Sequence, residues 1–406
     1  NLSGGHGTSV LDLMTGEHAD QAPDDRPIFG VELPVAVVRD TSGALFHGPL
    51  TFGLGLITLA SYVLAEDGTG APAPWVANVS MSYLVGPHDG THPTAAALQS
   101  IATLAAGPAG ATRSAALTLP AGNHLQEGIH ARAVPQNATT LNWSAPPEDR
   151  TASFVEIWSS DDGHPPDVDG LTICPPGQTG GVLASLPADG ERVHLEADGQ
   201  RIAQVFNLGS HLIVGMYPTT SWRAGDPMSP SGLWHLSLTG TSATPLLLWV
   251  ARDDTLSGLP EAGRQSWFRD PGYQIFDGMG DLLRRSAQRS EGLRRDGTVS
   301  VIATAGSPAT VVVGYEHFGA RPYRLAGLQL GEQEHPAPSP GAFKPAAEVS
   351  RRKGGPMVAK RLGGGVLRPS GTSMASAIQA RQSMQDMIGG PAGNELGHRE
   401  DLAYRY

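Results

Sequence analysis

The sequence predicts an α/β protein: a three-layer fold with a mostly parallel sheet, interrupted by an inserted all-β domain of sandwich or jelly-roll type. Three observations predict it. The first part alternates helix-patterned runs with apolar strands, the arrangement of a parallel sheet with helices on both faces. From about Ala131 to Arg295 the pattern changes to short strands between turn signals. Several have period-2 alternation, such as Leu233-Trp234-His235-Leu236-Ser237-Leu238, which suits antiparallel strands with one wet face. At Val299 the apolar pattern of the first part resumes.

Each element has its own reason. A short helical run, 10–14, is closed by Gly16. Next come an apolar strand at 31–38, a helix at 50–64, a strand at 76–83, a helix at 94–106 and a strand at 115–119. The uncharged stretch 43–65 contains Gly48, Pro49, Gly53 and Gly55, so it reads as a buried helix on the sheet rather than a membrane span. In the β-rich part, strands are expected at 153–158, 193–196, 202–206, 211–217, 233–238 and 246–250. A further core strand is expected at 299–306. From Met374 to Ile388 Ala, Gln and Met favour a helix, which Gly389-Gly390-Pro391 ends. The domains are therefore 1–130, 131–295 (inserted, β-rich) and 296–406, the first and last forming one unit.

The chemistry-bearing strings lie in that unit. Ser370-Gly371-Thr372-Ser373-Met374-Ala375-Ser376 follows Gly363-Gly364-Gly365 and opens the last helical run. The glycines let backbone approach a ligand more closely than residues with a Cβ allow. Ser373 at a helix N-terminus stands where free N–H groups and the dipole favour developing negative charge. From this string alone, nucleophile and simple N-cap are both open. Far upstream, Gly4-Gly5-His6-Gly7-Thr8-Ser9-Val10 sets a histidine in a similar turn before a helix. A His and a Ser so placed fit a base and nucleophile converging at one edge of a sheet. Together these strings resemble the subtilisin-like serine peptidases, whose motifs read His-Gly-Thr and Gly-Thr-Ser-Met-Ala.

That resemblance implies further roles. Leu117-Thr118-Leu119-Pro120-Ala121-Gly122-Asn123 is similar to the family's strand ending in Ala-Gly-Asn, so Asn123 is expected to donate to the oxyanion. Taken alone, Gly122-Asn123 reads as a turn. Val76-Ala77-Asn78-Val79-Ser80-Met81-Ser82 resembles the strand whose continuation pairs with extended substrate, which makes Ser80, Met81 and Ser82 substrate-binding candidates. The family's third triad member, an Asp that orients the histidine, precedes it in chain order and is expected in a segment upstream of Asn1. Asp40 ends a superficially similar run, but follows the histidine and fits better as a turn residue. Three positions depart from the family pattern: Ser9 for a second His, Ser82 for a Gly, and Ala377 for a Pro in the nucleophile's helix.

The implied function is a serine endopeptidase acting through a Ser373 acyl-enzyme, with His6 as general base and acid and Asn123 in the oxyanion hole. The alternative is a catalytically impaired, subtilase-like binding protein whose inserted β-domain recognises a partner. The Gly-x-Ser-x-Gly elbow of other serine hydrolases is lacking around Ser373.

Composition narrows the partners. A net charge of −11 over 406 residues argues against nucleic acid, whose phosphates need a basic surface. The single cysteine, Cys174, excludes an intramolecular disulfide and leaves the compartment open. Abundant Ala, Gly and Arg suit a bacterial source, and the resemblance suits a secreted or cell-envelope protein acting on protein or peptide substrates. No cofactor is required and no metal ligands are assigned. The one place for a structural calcium is the acidic stretch Asp161 to Asp169, where Pro165 and Pro166 break the spacing and a solvated loop is the commoner outcome.

Overall fold

The computed structural model describes residues 5–15, 27–34, 36–37, 45–65, 72–106, 115–124, 127–161, 164–178, 180–184, 186–221, 223–253, 262–273, 279, 292–294, 297–306, 310–318, 342–350, 358–359, 366–367 and 371–388. Its first elements are α1 (His6–Thr15), α2 (His47–Val63), β1 (Trp75–Asn78), α3 (Pro93–Ala106) and β2 (Ala115–Pro120). A long run of strands follows: β3 (His130–Ala133), β4 (Thr139–Ala145), β5 (Ser153–Ser159), β6 (Gly170–Cys174), β7 (Val182–Ala184) and β8 (Arg192–Ala197). It continues through β9 (Gln200–Asn207), β10 (His211–Met216), β11 (Gly232–Thr239), β12 (Leu246–Val250), β13 (Trp267–Phe268) and β14 (Leu293–Arg294). The chain then forms β15 (Thr310–Phe318), β16 (Ala342–Ser350), the small pair β17 (Val358–Ala359) and β18 (Val366–Leu367), and α4 (Thr372–Met387).

The expected three-layer fold on a mostly parallel sheet is not what these elements build. Most strands lie in antiparallel sheets, one of seven strands in the order β14-β3-β12-β5-β10-β9-β8 and one of five in the order β13-β4-β11-β6-β7. Among the described residues, parallel pairing is confined to one four-stranded sheet, β1-β2-β15-β16. The connections explain the balance. Tight turns, such as Asp198-Gly199 with φ 51° and 73° between β8 and β9, join only antiparallel neighbours, whereas each parallel pair needs a long crossover.

Two strands expected in the parallel sheet are also not found among the described residues. Described residues 27–34 carry no strand. The run expected as a strand at 299–306 holds a buried 3-10 turn, Val301–Thr304, and pairing resumes only at Thr310. A short apolar run buried on all sides has no period to separate the two outcomes.

The period-2 pattern does place the antiparallel strands. On β11, Trp234, Leu236 and Leu238 are buried while His235 and Ser237 are more open. With Trp143, Ile157, Val205, Val214 and Leu248 they form the core between the two antiparallel sheets. Each such side chain contributes on the order of 1.5–3 kcal/mol by leaving water. A second core joins Leu50 and Leu54 of α2, Ala95, Leu98 and Ala102 of α3, Leu117 and Leu119 of β2, and Val301 and Ile302. The helix α2 is buried on one face only, since Phe52 and Val63 are 69% and 78% exposed. No helix among the described residues is long and apolar enough to cross a membrane.

Candidate active site

The serine string folds as its glycine predicts. Gly371 caps α4 with φ 130° and no side-chain capping bond, a conformation that L side chains rarely adopt. Ser373 is therefore not the N-cap but the second helical residue. Its N–H is one of the first four donors, which have no acceptor within the helix. Buried Met374, Ala375 and Ala377 hold α4 in place, Met374 and Ala377 packing against Leu13 of α1.

Ser373 is half-buried, and its hydroxyl donates to the Ser80 carbonyl at 3.4 Å. In return the Ser80 hydroxyl donates to the Ser373 carbonyl at 3.0 Å and accepts from Asn78 Nδ2 at 2.7 Å. Asn78 Oδ1 accepts from Ser376 Oγ at 2.7 Å and from Thr118 Oγ1 at 3.1 Å. One amide thus ties the end of β1 to β2 and to the first turn of α4. Met81 packs its side chain against the α2–α3 core. Ser82 Oγ is buried with no hydrogen-bond partner among the described residues. It lies 3.2 Å from where a Cβ on Gly122 would stand.

Asn123 is exposed and sits directly against the serine string. Its Oδ1 accepts from Thr372 N at 3.0 Å and Thr372 Oγ1 at 3.2 Å, and Thr372 Oγ1 accepts from Gly122 N at 3.1 Å. With Oδ1 occupied, the Nδ2 amide group is what remains to donate. A Cβ on Gly371 would come within 3.2 Å of that nitrogen, so glycine is needed there for space as well as for φ.

His6 is the first residue of α1 and is exposed, on a helix packed against α4. Desolvation first, and the positive charge of Arg252 second, hold its pKa below the ordinary imidazole value. Among the described residues no hydrogen bond joins it to Ser373, whose proton points to Ser80 instead. Asp40 lies outside the described residues.

Three contributors escape notice in the sequence. Thr372 belongs to the serine string, but its clamp on Asn123 depends on the fold. Ser376 reaches Asn78 across the same junction. His124, beside Asn123, pairs through Nδ1 with Glu127. Among the described residues no group of three or more His, Cys, Asp or Glu converges to hold a metal ion. Asp162 and Gly163 of the acidic stretch lie outside the described residues, and Asp161 contacts His164 at 3.4 Å.

No protein-family model matches the chain, and no curated protein matches it. Among solved structures it is similar to the Clostridium perfringens CspB protease, with a TM-score of 0.54 and 14% sequence identity. The match covers 93% of this chain and 68% of that one. At that identity the likeness is one of fold.

Proposed function

We propose that the protein is a serine endopeptidase that cleaves protein or peptide substrates through an acyl-enzyme on Ser373. The observation that carries this reading is the Asn123–Thr372 contact, which sets a free amide donor beside a serine near a helix N-terminus. The fold likeness to a protease agrees with it.

In the reaction, His6 takes the Ser373 Oγ proton as Oγ bonds to the scissile carbonyl carbon. The oxyanion that forms is held by Asn123 Nδ2 and the Ser373 N–H. Collapse breaks the C–N bond, and the proton on His6 goes to the leaving amine. Water then releases the acyl group by the same steps. The segment Ser80 to Ser82 holds extended substrate, residues 131–295 are an inserted domain, no cofactor takes part, and the setting is secreted or cell-envelope.

Treatment with a fluorophosphonate, followed by mass spectrometry, tests the assignment. Label is expected on Ser373 and absent from Ser373→Ala; label retained at another residue would overturn it. A second reading is a catalytically impaired binding protein, favoured by the Ser373–Ser80 hydrogen bond and the missing Ser373–His6 bond. No label on any residue would select it.

The charge beside His6 gives a pH test. Removing a cation makes the imidazolium easier to form, so Arg252→Gln raises the His6 pKa. The acid limb of kcat/KM is expected to move to higher pH, while staying below the ordinary imidazole range because desolvation persists. An unmoved limb in the kcat/KM profile would remove His6 as the base.

A further inference from the structure

One fully buried residue joins the two loops that the proposed reaction needs. The main-chain N–H of Ser300 donates to the Ala121 carbonyl at 2.7 Å, next to Gly122 and Asn123. Its hydroxyl accepts from Tyr83 N at 3.1 Å and donates to the Tyr83 carbonyl at 3.3 Å. Val301 N donates to the same carbonyl at 2.6 Å. The Ser300 hydroxyl therefore supplies Tyr83 with a donor and an acceptor, as a neighbouring strand would, in a segment beyond the end of β1. Gly122, at φ 101°, comes so close that a Cβ would lie 3.3 Å from Ser300 N.

The residues before Ser300 are gripped by the seven-stranded sheet. Trp249 of β12 donates its indole N–H to the Gly297 carbonyl at 2.8 Å. His88 and His130 both stack on that indole, each with centroids 4.6 Å apart. His88 Nε2 lies 2.7 Å from the Val299 carbonyl, in donor geometry. A Cβ on Gly297 would meet the His130 ring at 2.9 Å, so the stack and the 297–299 backbone have no slack between them. This path runs from the antiparallel sheet through Trp249 and His88 to Val299 and Ser300, and on to Ala121 and Tyr83.

We propose that Ser300 is a positioning residue that sets the Asn123 turn and the Ser80–Tyr83 segment relative to each other, and that the seven-stranded sheet braces it through Trp249 and His88. The proposal rests on the Ser373 acyl-transfer reading. It gives the seven-stranded sheet a part in the site: through Ser300 it holds the substrate segment in place. Without the Ser300 hydroxyl, the half-buried Tyr83 loses two of the hydrogen bonds that tie it to the Ala121–Asn123 turn, and the segment is held less firmly.

The substrate segment matters to an extended polypeptide and little to a small phosphonate, so the two probes separate positioning from chemistry. For Ser300→Ala, KM for labelled casein is expected to rise about tenfold, as loss of about one hydrogen bond implies. The rate of fluorophosphonate labelling at Ser373 should stay within about twofold of wild type, since the oxyanion donors are untouched. Trp249→Phe keeps an aromatic face for both histidines but loses the bond to Gly297, and should raise KM in the same sense by less. That variant carries the test if Ser300→Ala does not fold. Unchanged KM in the folded variants, or labelling that falls as far as KM rises, overturns the positioning role alone. A wild-type protein that takes no label on Ser373 overturns the acyl-transfer reading and this proposal with it.

Discussion

Asn123→Ala is expected to slow acylation of Ser373 by a factor of about 10² to 10³, the usual effect of losing one oxyanion donor. The side chain has two jobs that this substitution removes together. Nδ2 is the proposed donor, while Oδ1 accepts from both Thr372 N and Thr372 Oγ1 and so holds the turn against α4. Asn123→Asp separates them. The carboxylate keeps the acceptor for Thr372 and its position near the helix N-terminus, but offers no donor and adds a negative charge where the oxyanion forms. Fluorophosphonate labelling rates should therefore fall at least as far in Asn123→Asp as in Asn123→Ala. Near-normal labelling in Asn123→Asp would assign the residue to scaffolding only.

The second large effect concerns stability. Asp253, 3% exposed beyond the end of β12, accepts from Ser266 N and Ser266 Oγ, each at 3.1 Å. Burial, and after it the charge of Asp149, push its carboxyl up to about 7, against the bonds from Ser153 and Ser266. The group binds its proton more tightly in the folded protein than in the unfolded chain. Its contribution is complete below the ordinary carboxyl range and is lost as pH rises through about 7. Asp253→Asn keeps an acceptor for Ser266 N and cannot ionise. Urea unfolding should show the stability of the variant relative to wild type rising by about 4 kcal/mol between pH 4 and pH 8, since the altered bond to Ser266 Oγ counts equally at both ends of that range. A constant difference across that range would mean that Asp253 is ionised throughout.

Much of the secondary structure is legible because it is written in local period. Alternation along β11 and the apolar run of β12 place those strands to within a residue, and the uncharged stretch after Phe46 becomes α2. Besides the strand expected at 31–38, an error lies at 299–306, where Val301, Ile302 and Ala303 are buried on all sides and a 3-10 turn replaces the strand. It helped make the parallel sheet look larger than it is. At the site, Ser373 and Asn123 are visible as motif residues, and so is the glycine each turn requires. Ser300 and Trp249 are not, because an isolated serine in a β-branched run and a tryptophan in an apolar strand look like ordinary core sequence.

The sequence by itself determined the period of strands such as β11, a helix over Met374 to Ile388 that the structure starts two residues earlier, and the residue types on which acyl transfer would depend. Only the tertiary structure decided that Asn123 meets Thr372, 249 positions away, and that Ser80 exchanges hydrogen bonds with Ser373, 293 positions away. It also decided that the Ser373 proton points to Ser80 rather than to His6, and that antiparallel sheets outweigh the parallel one. The physical reason is the range of the forces that leave a trace in sequence. Side-chain period and backbone preference act over one or two turns of chain. A hydrogen bond between distant loops forms only where the packing of whole elements brings donor and acceptor within about 3 Å.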